Sequence, residues 1–147
     1  MDMVIHWTAL LRRNNALWDA DCCLYAYLHP ARDQLLYIGK ADYCTVRQRM
    51  RGDHKEQLFF DLSHEYRYPV HVLPRVLHGY VQMLNGQRFS SALLHDLETL
   101  LIKRLKPWGN NQRGRTWRPS LQVECVGDWP FTRFRFRDNR SSWRPNW

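Results

Sequence analysis

The chain has 147 residues, of which 44% are apolar, so it is long enough to bury one ordinary hydrophobic core. Its formal net charge is +8 at neutral pH, which favours a polyanionic partner, nucleic acid first, with a merely basic protein as the alternative. Seven tryptophans and an aromatic content of 14% exclude a disordered basic tail.

The N-terminal segment, residues 1–21, is predicted to form a helical extension, because Trp7, Leu10 and Leu17 recur at roughly helical spacing. A secretory leader is not expected, since the short apolar run ends at His6. Nothing in the sequence approaches the ~20 consecutive apolar residues of a membrane span, so no membrane partner is expected either.

The cysteines predict a reducing, cytoplasmic location. Cys22 and Cys23 are adjacent, whereas Cys44 and Cys125 stand alone, so the sequence contains no C-x-x-C pair. Free thiols are therefore the simpler interpretation, and a structural zinc site is not expected.

Two short β-prone runs come next, Cys23–Leu28 and Gln34–Ile38, and the second stops at Gly39. Turn-forming residues separate them, which predicts a β-hairpin. Tyr25 lies on its first strand and Tyr37 on its second. Strand tyrosines are commonly core residues; alternatively, a nearby cation lowers the phenol pKa enough for a role as a base.

The stretch after the hairpin is predicted to contain a helix and a further strand. The helix begins at Asp42 or Thr45, which are both suitable N-caps, and runs to about Gln57. The strand spans residues 68–77 and, because it contains prolines, is placed at a sheet edge.

One face of that helix is basic. At helical spacing, Arg47 shares this face with Met50, Arg51 and His54. A solvated basic face is the usual outcome of such a pattern, but packing of the helix beside the hairpin would bring Arg47 close to the tyrosines.

Ser90–Leu105 is the clearest helix, with leucines at helical spacing, and Pro107 ends it. Glu98 falls inside its apolar stripe. A carboxylate in that position must either pair with a cation or hold a metal ion. Both interpretations, a structural Glu–Arg pair and a metal ligand, follow from the pattern.

The C-terminal residues, 113–147, form a basic and aromatic extension that is rich in arginine and tryptophan. Alternating apolar residues on both sides of Gly127 predict a hairpin there, with arginines on one strand face. That arginine face suits a phosphate backbone, or else is simply solvated.

Several of these residues together resemble the GIY-YIG nuclease superfamily. The likeness rests on Tyr25, the run Tyr37–Lys40, Arg47 ten residues after Tyr37, Glu98 within Leu97–Pro107, and Asn110 twelve residues after Glu98. It covers about residues 22–112.

The chain also departs from the family pattern. Cys23 replaces the glycine of the first motif, and Leu24 replaces its isoleucine. Arg51 stands where a histidine often follows the catalytic arginine, so His54 is the candidate for that role.

The resemblance implies an α/β (α+β) fold, in which a small three-stranded mixed or antiparallel sheet is flanked by helices. The chain is then a single domain, 1–147, with the helical extension (1–21), the nuclease core (22–112) and a basic β-rich C-terminal extension (113–147).

The resemblance also implies metal-dependent hydrolysis of DNA phosphodiester bonds by an endonuclease. In it Glu98 holds one Mg²⁺ or Mn²⁺, Arg47 binds the scissile phosphate, and Tyr25 is the preferred base, with Tyr37 positioning water or sharing that role. The full set of implied catalytic residues is Tyr25, Tyr37, Arg47, Glu98, Lys40, His54 and Asn110. Contacts to nucleic acid are assigned to Lys40, Arg47, Arg51, Arg113, Arg115, Arg118, Arg133 and Arg135.

Three alternatives stay open. A restriction-type enzyme of the same superfamily would need two sites, hence a homodimer or sequential nicking, to cut both strands. A non-catalytic nucleic-acid-binding module would keep the fold without the reaction. An RNA substrate is also compatible with the sequence. No small-molecule cofactor is expected beyond the metal.

Overall fold

A computed structural model describes residues 3–84, 86, 88–110, 122–131 and 134–136, the last range and Asp53 without their side chains. The strands are β1 (Met3–Ala9), β2 (Cys23–Leu28), β3 (Leu35–Ala41), β4 (Arg75–Met83), β5 (Val123–Gly127) and β6 (Phe134–Phe136). The helices are α1 (Val46–Arg49), α2 (Asp53–Glu65) and α3 (Ser91–Leu105), with a 3₁₀ turn at Ala16–Asp19.

The strands form one mixed sheet in the order β3-β2-β4-β1-β5-β6. Neighbouring strands are antiparallel except β1 and β5, which are parallel. The α+β class is therefore confirmed, but the expected three-stranded sheet is wrong. The trio β3-β2-β4 exists, and β1, β5 and β6 extend it on the far side of β4.

The predicted N-terminal helix is also wrong, because this segment forms β1. Met3, Ile5 and Trp7 are buried while His6 between them is exposed, which is the alternation of a strand with one covered face. The strand gains its hydrogen bonds from β4 and β5, both distant in sequence. The roughly helical spacing of Trp7, Leu10 and Leu17 was therefore a misleading signal.

The hairpin of β2 and β3 is confirmed. Every residue of β2 is buried, because the strand lies between β3 and β4. Tyr27 pairs with Tyr37 across the hairpin, and Tyr25 pairs with Gly39. A Cβ atom at Gly39 would overlap the phenol ring of Tyr25, so the glycine makes room for that ring.

The single helix predicted up to Gln57 is divided into α1 and α2 at Gly52, whose φ of 116° interrupts the helical backbone. Thr45 is the N-cap of α1, with its hydroxyl accepting from the Gln48 amide at 3.1 Å. The strand predicted at 68–77 begins instead at Arg75 and lies inside the sheet, so its edge placement is wrong.

The helix predicted at Ser90–Leu105 is confirmed as α3, capped by Ser90 and ended by Lys106 in the left-handed conformation. Leucines of α3 pack on one sheet face with Leu24, Ile38 and Leu77. On the other face, Tyr25 and Tyr27 pack with residues of α1 and α2. The sheet thus separates two apolar clusters, and the tyrosines belong to the second.

The four cysteines, Cys22, Cys23, Cys44 and Cys125, are free thiols, as predicted. Across the described part of the chain, every helix is too short or too polar to cross a bilayer.

Candidate active site

A pocket of about 180 Å³ opens where the hairpin meets the helices. Its lining comes from five elements or their flanks: β2, β3, α1, α2 and α3. The side chains are those of Tyr25, Tyr37, Lys40, Arg49, His54, Lys55 and Glu98. Five of the residues predicted for the site therefore come together, and two that were not predicted, Arg49 and Lys55, join them.

Tyr25 and Tyr37 line this pocket on the sheet side, and the fully buried Tyr27 packs against both of their rings. The rings of Tyr27 and Tyr37 stack with their centroids 5.1 Å apart, and the Tyr25 ring lies 5.4 Å from Tyr27 and 6.0 Å from Tyr37. Burial, followed by the neighbouring phenols, raises the pKa of Tyr25 far above its ordinary value. Tyr25 is therefore a neutral phenol unless a cation stabilises its anion.

Lys55 supplies a cation to the tyrosines. Its side chain is 2% exposed, and Nζ donates a hydrogen bond to Oη of Tyr25 at 2.9 Å. The same Nζ lies 4.2 Å from the ring centroid of Tyr37, within cation–π distance. Burial and the nearby Arg49 lower the pKa of Lys55 to about 7, while the Glu98 carboxylate acts in the opposite direction.

Arg47 does not line the pocket. Its Nε lies 3.0 Å from Oδ1 of Asp19, and Nη2 donates to the carbonyl of Arg13 at 2.9 Å. The Arg47 guanidinium thus faces the 3₁₀ turn, with Trp18 beneath it at 5.9 Å from the ring centroid. The sequence-based placement of Arg47 beside the tyrosines is wrong in this respect.

Arg49 lies in the pocket instead, because of how α1 is oriented. Val46 is fully buried in the cluster that contains the tyrosines, and Arg49 follows it by three residues on the same helix face. Arg47 is one residue after Val46 and points about 100° away. The exposed Arg51 lies past the end of α1 and outside the pocket lining.

Glu98 is 5% exposed, as its position in the apolar stripe predicted, and it lines the pocket. Among the described residues, His, Cys, Asp and Glu side chains form no cluster of three suited to a metal. A single carboxylate nevertheless suits Mg²⁺, which commonly keeps several waters and binds through one or two carboxylates plus substrate phosphate. The donor set therefore fits a magnesium-type ion and not a structural zinc.

Asn110 acts on the backbone of β3 instead of lining the pocket. Its Nδ2 donates to the Ile38 carbonyl at 2.7 Å, and its Oδ1 accepts from the Ile38 amide at 2.8 Å. The Gly109 amide also donates to the Leu36 carbonyl at 2.8 Å. The segment after α3 thereby pairs with the outer edge of β3 and fixes the strand that carries Tyr37.

The remaining predicted residues divide into two groups. Lys40 and His54 line the pocket, Lys40 partly buried and His54 exposed. Arg113, Arg115, Arg118 and Arg133 lie outside the described residues, and Arg135 lies in β6, where side chains are not described.

Lys55 was missed because the residues next to it are polar, so the local sequence resembles a solvated helix face. The break at Gly52 was the available signal, since it starts α2 and sets the phase that turns Lys55 inward.

A scan against protein-family models and searches of curated proteins and of solved structures found no match to this chain.

Proposed function

We propose that this protein is a divalent-metal-dependent endonuclease that hydrolyses DNA phosphodiester bonds, in the manner that the resemblance to GIY-YIG nucleases implies. The observation that carries the proposal is the pocket, in which buried Glu98 and Lys55 face Tyr25, Tyr37 and Arg49. Burying charged groups is unfavourable for folding unless they are compensated, and perturbed ionisable groups in a cleft are typical of functional sites.

The order of the elements supports the same proposal. A hairpin carries the two tyrosines, a short helix carries the arginine, and a later helix carries the glutamate, followed by Asn110. This is the order on which the resemblance rests, with Arg49 in the place first given to Arg47.

In the proposed reaction, cations of the pocket bind the scissile phosphate. Arg49 offers a planar guanidinium that can donate two hydrogen bonds to phosphate oxygens, and Lys40 and His54 line the same pocket and offer further N–H donors. These groups stabilise the negative charge that grows on the phosphate in the transition state.

Glu98 would hold the metal ion. When bound, Mg²⁺ or Mn²⁺ supplies positive charge to the phosphate and to the leaving oxygen. The burial of Glu98 fixes its carboxylate, and the surrounding leucines of α3 restrict access of water from that side.

Tyr25 is the proposed proton acceptor for the attacking water, and Tyr37 helps to position that water. Stabilisation of the Tyr25 anion is the main requirement, because burial strongly favours the neutral phenol. The Lys55 Nζ, 2.9 Å from Oη of Tyr25, provides that stabilisation. We therefore add Lys55 to the residues proposed for the site.

One observation favours a second candidate, a nucleic-acid-binding module without catalysis. Tyr25 is 1% exposed, so the oxygen that must meet the water lies deep in the structure. The two candidates differ in whether any bond is cut.

The test is incubation of the purified full-length protein with supercoiled plasmid, branched DNA and RNA, in Mg²⁺ or in EDTA. The expected result is cutting of DNA that EDTA abolishes and that Glu98→Gln abolishes without loss of folding. Cutting in EDTA, or full activity of Glu98→Gln, would overturn the metal mechanism. Tight binding with no cleavage of any substrate would favour the binding module.

A further inference from the structure

A second concavity, of about 500 Å³, lies beyond the end of α3. Three aromatic side chains line it, Tyr66, Trp108 and Phe131, over a floor that includes Leu35 and Leu105, with Lys106 also on the lining. We refer to it as the aromatic cleft. Its volume lies within the range of about 300–1,000 Å³ that is common for small-molecule sites.

Trp108 is unusual for so large an apolar residue, since 48% of it is exposed. A structured turn holds it there. Pro107 precedes it, the Asn110 amide donates to the Pro107 carbonyl at 3.1 Å, and the ring meets Tyr66 edge to face with centroids 6.3 Å apart. The indole is therefore presented to solvent by an ordered segment.

Positive charge lines both concavities that Trp108 borders. A neighbouring concavity of about 420 Å³ shares Lys106 and Trp108 with the aromatic cleft and adds Lys103 and Asn110. Both lysines are exposed. The Asp33 carboxylate on the cleft lining does not cancel this charge, because Arg75 pairs with it at 3.1 Å.

An aromatic plane beside exposed ammonium groups has the chemistry of a single-strand nucleic-acid site. A base stacks on the ring, and the lysines neutralise the phosphates on either side. Paired bases within a duplex do not offer their faces to such a ring unless they are first unstacked.

The aromatic cleft is also close to the candidate active site along the chain. The residue after Trp108 is Gly109, and a Cβ atom there would lie 3.3 Å from Cβ of Tyr37. A strand that crosses the pocket at Tyr37 can thus reach Trp108 within a short distance.

We propose that the aromatic cleft binds an unpaired nucleobase of the DNA strand, with Trp108 as the stacking platform and Lys103 and Lys106 on the adjoining phosphates. The role of that strand as a cleavage substrate rests on the proposed nuclease function, whereas the binding does not. The preferred substrate then contains single-stranded or unstacked DNA next to the cut.

The test uses a short single-stranded DNA in which one base is 2-aminopurine, whose fluorescence falls when it stacks. Titration of the full-length protein in EDTA should quench the fluorescence. Trp108→Ala should weaken binding by about 5- to 150-fold, the range for loss of one base–aromatic stack. Trp108→Phe keeps a ring and should restore most of the affinity.

The matched control is Tyr80→Ala, which removes another exposed aromatic residue, 59% exposed on β4. It should bind like the wild type. Lys103→Ala should bind less tightly and reduce the slope of affinity against salt by about one unit. Circular dichroism confirms that each variant is folded.

Four outcomes would overturn the proposal. The first two are wild-type affinity of Trp108→Ala for the single strand, and a loss of affinity in Tyr80→Ala as large as that in Trp108→Ala. The other two are failure of Trp108→Phe to restore binding, and a loss by Trp108→Ala of as much affinity for a duplex of the same sequence as for the single strand. Binding of the matching RNA but not of the DNA would overturn the assignment to DNA. Because the titration needs no cleavage, absence of nuclease activity leaves its result intact.

Discussion

The Nζ atom of Lys55 lies 2.9 Å from Oη of Tyr25, and both side chains are at most 2% exposed. The pair joins α2 to β2, which lies between β3 and β4 in the sheet. A charged amine buried in this position lowers the stability of the fold unless its contacts compensate for the lost hydration. The effect of the pair can therefore be measured as a dependence of the free energy of unfolding on pH.

Replacing this amine should stabilise the protein in acid while abolishing the proposed activity. The pKa of Lys55 is about 7 in the folded state against an ordinary 10.5, so the unfolded chain binds more protons between these values. Wild-type stability should therefore rise as pH increases from about 7 to 10.5. Lys55→Met removes this dependence, and at pH 6 we expect a gain of about 1–3 kcal/mol after the lost contact with Tyr25 is subtracted.

Urea unfolding at pH 6, 8 and 10 measures the difference between Lys55→Met and the wild type, which should shrink toward high pH. Lys103→Met is the control, since Lys103 is exposed on α3 and its replacement should give no such trend. A wild-type stability that stays flat across the window would contradict the buried amine.

Arg49 should contribute to the rate of DNA cleavage, whereas Arg47 should contribute only to the stability of the fold. Arg49→Ala removes the pocket guanidinium and should lower the rate of DNA cleavage by about 100-fold or more. Arg47→Ala breaks a partly exposed ion pair with Asp19, which is worth at most about 1 kcal/mol of stability. Single-turnover cleavage and thermal melting of both variants separate the two roles, and the reverse ranking in cleavage would restore Arg47 to the site.

Asn110→Ala should loosen the outer edge of β3. It removes two hydrogen bonds with the Ile38 backbone, so we expect a loss of about 1–3 kcal/mol of stability. Hydrogen exchange of the Ile38 amide should accelerate in this variant. Asn110→Asp keeps the acceptor and should preserve more of that protection; equal exchange in both variants would argue against the pairing.

Gly39→Ala should displace the Tyr25 ring, because the added Cβ overlaps it. We expect about 1–3 kcal/mol of lost stability together with loss of cleavage. Gly79→Ala provides the matched control, since its Cβ would crowd Trp7 at 2.9 Å on the opposite sheet face. It should destabilise the fold comparably, yet at low temperature retain activity per folded molecule.

Local pattern was enough to predict the hairpin, α3 and the burial of Glu98. Each depends on residues close together in sequence, such as the leucines at helical spacing around Glu98. β1 was not predictable in the same way, because its partners β4 and β5 are remote, and its burial follows from their pairing.

The orientation of α1 shows why motif spacing alone misplaced the arginine. Counting residues from Tyr37 identifies Arg47, but the Thr45 cap and the burial of Val46 determine which side of the helix faces the pocket. A cap can be recognised in a sequence, whereas the residue that packs inward depends on the sheet beneath it. The burial of Lys55 likewise depends on the three tyrosine rings that surround its amine.

The parallel pairing of β1 with β5 has a consequence for synthesis of the protein. Met3 pairs with Val123, so one edge of β1 stays without its partner until the chain has been synthesised as far as Val123. Contacts of such high sequence separation form late and slow folding. Until then the apolar strand Met3–Ala9 is open to pairing with other nascent chains, and chaperone demand should fall on this interval of translation.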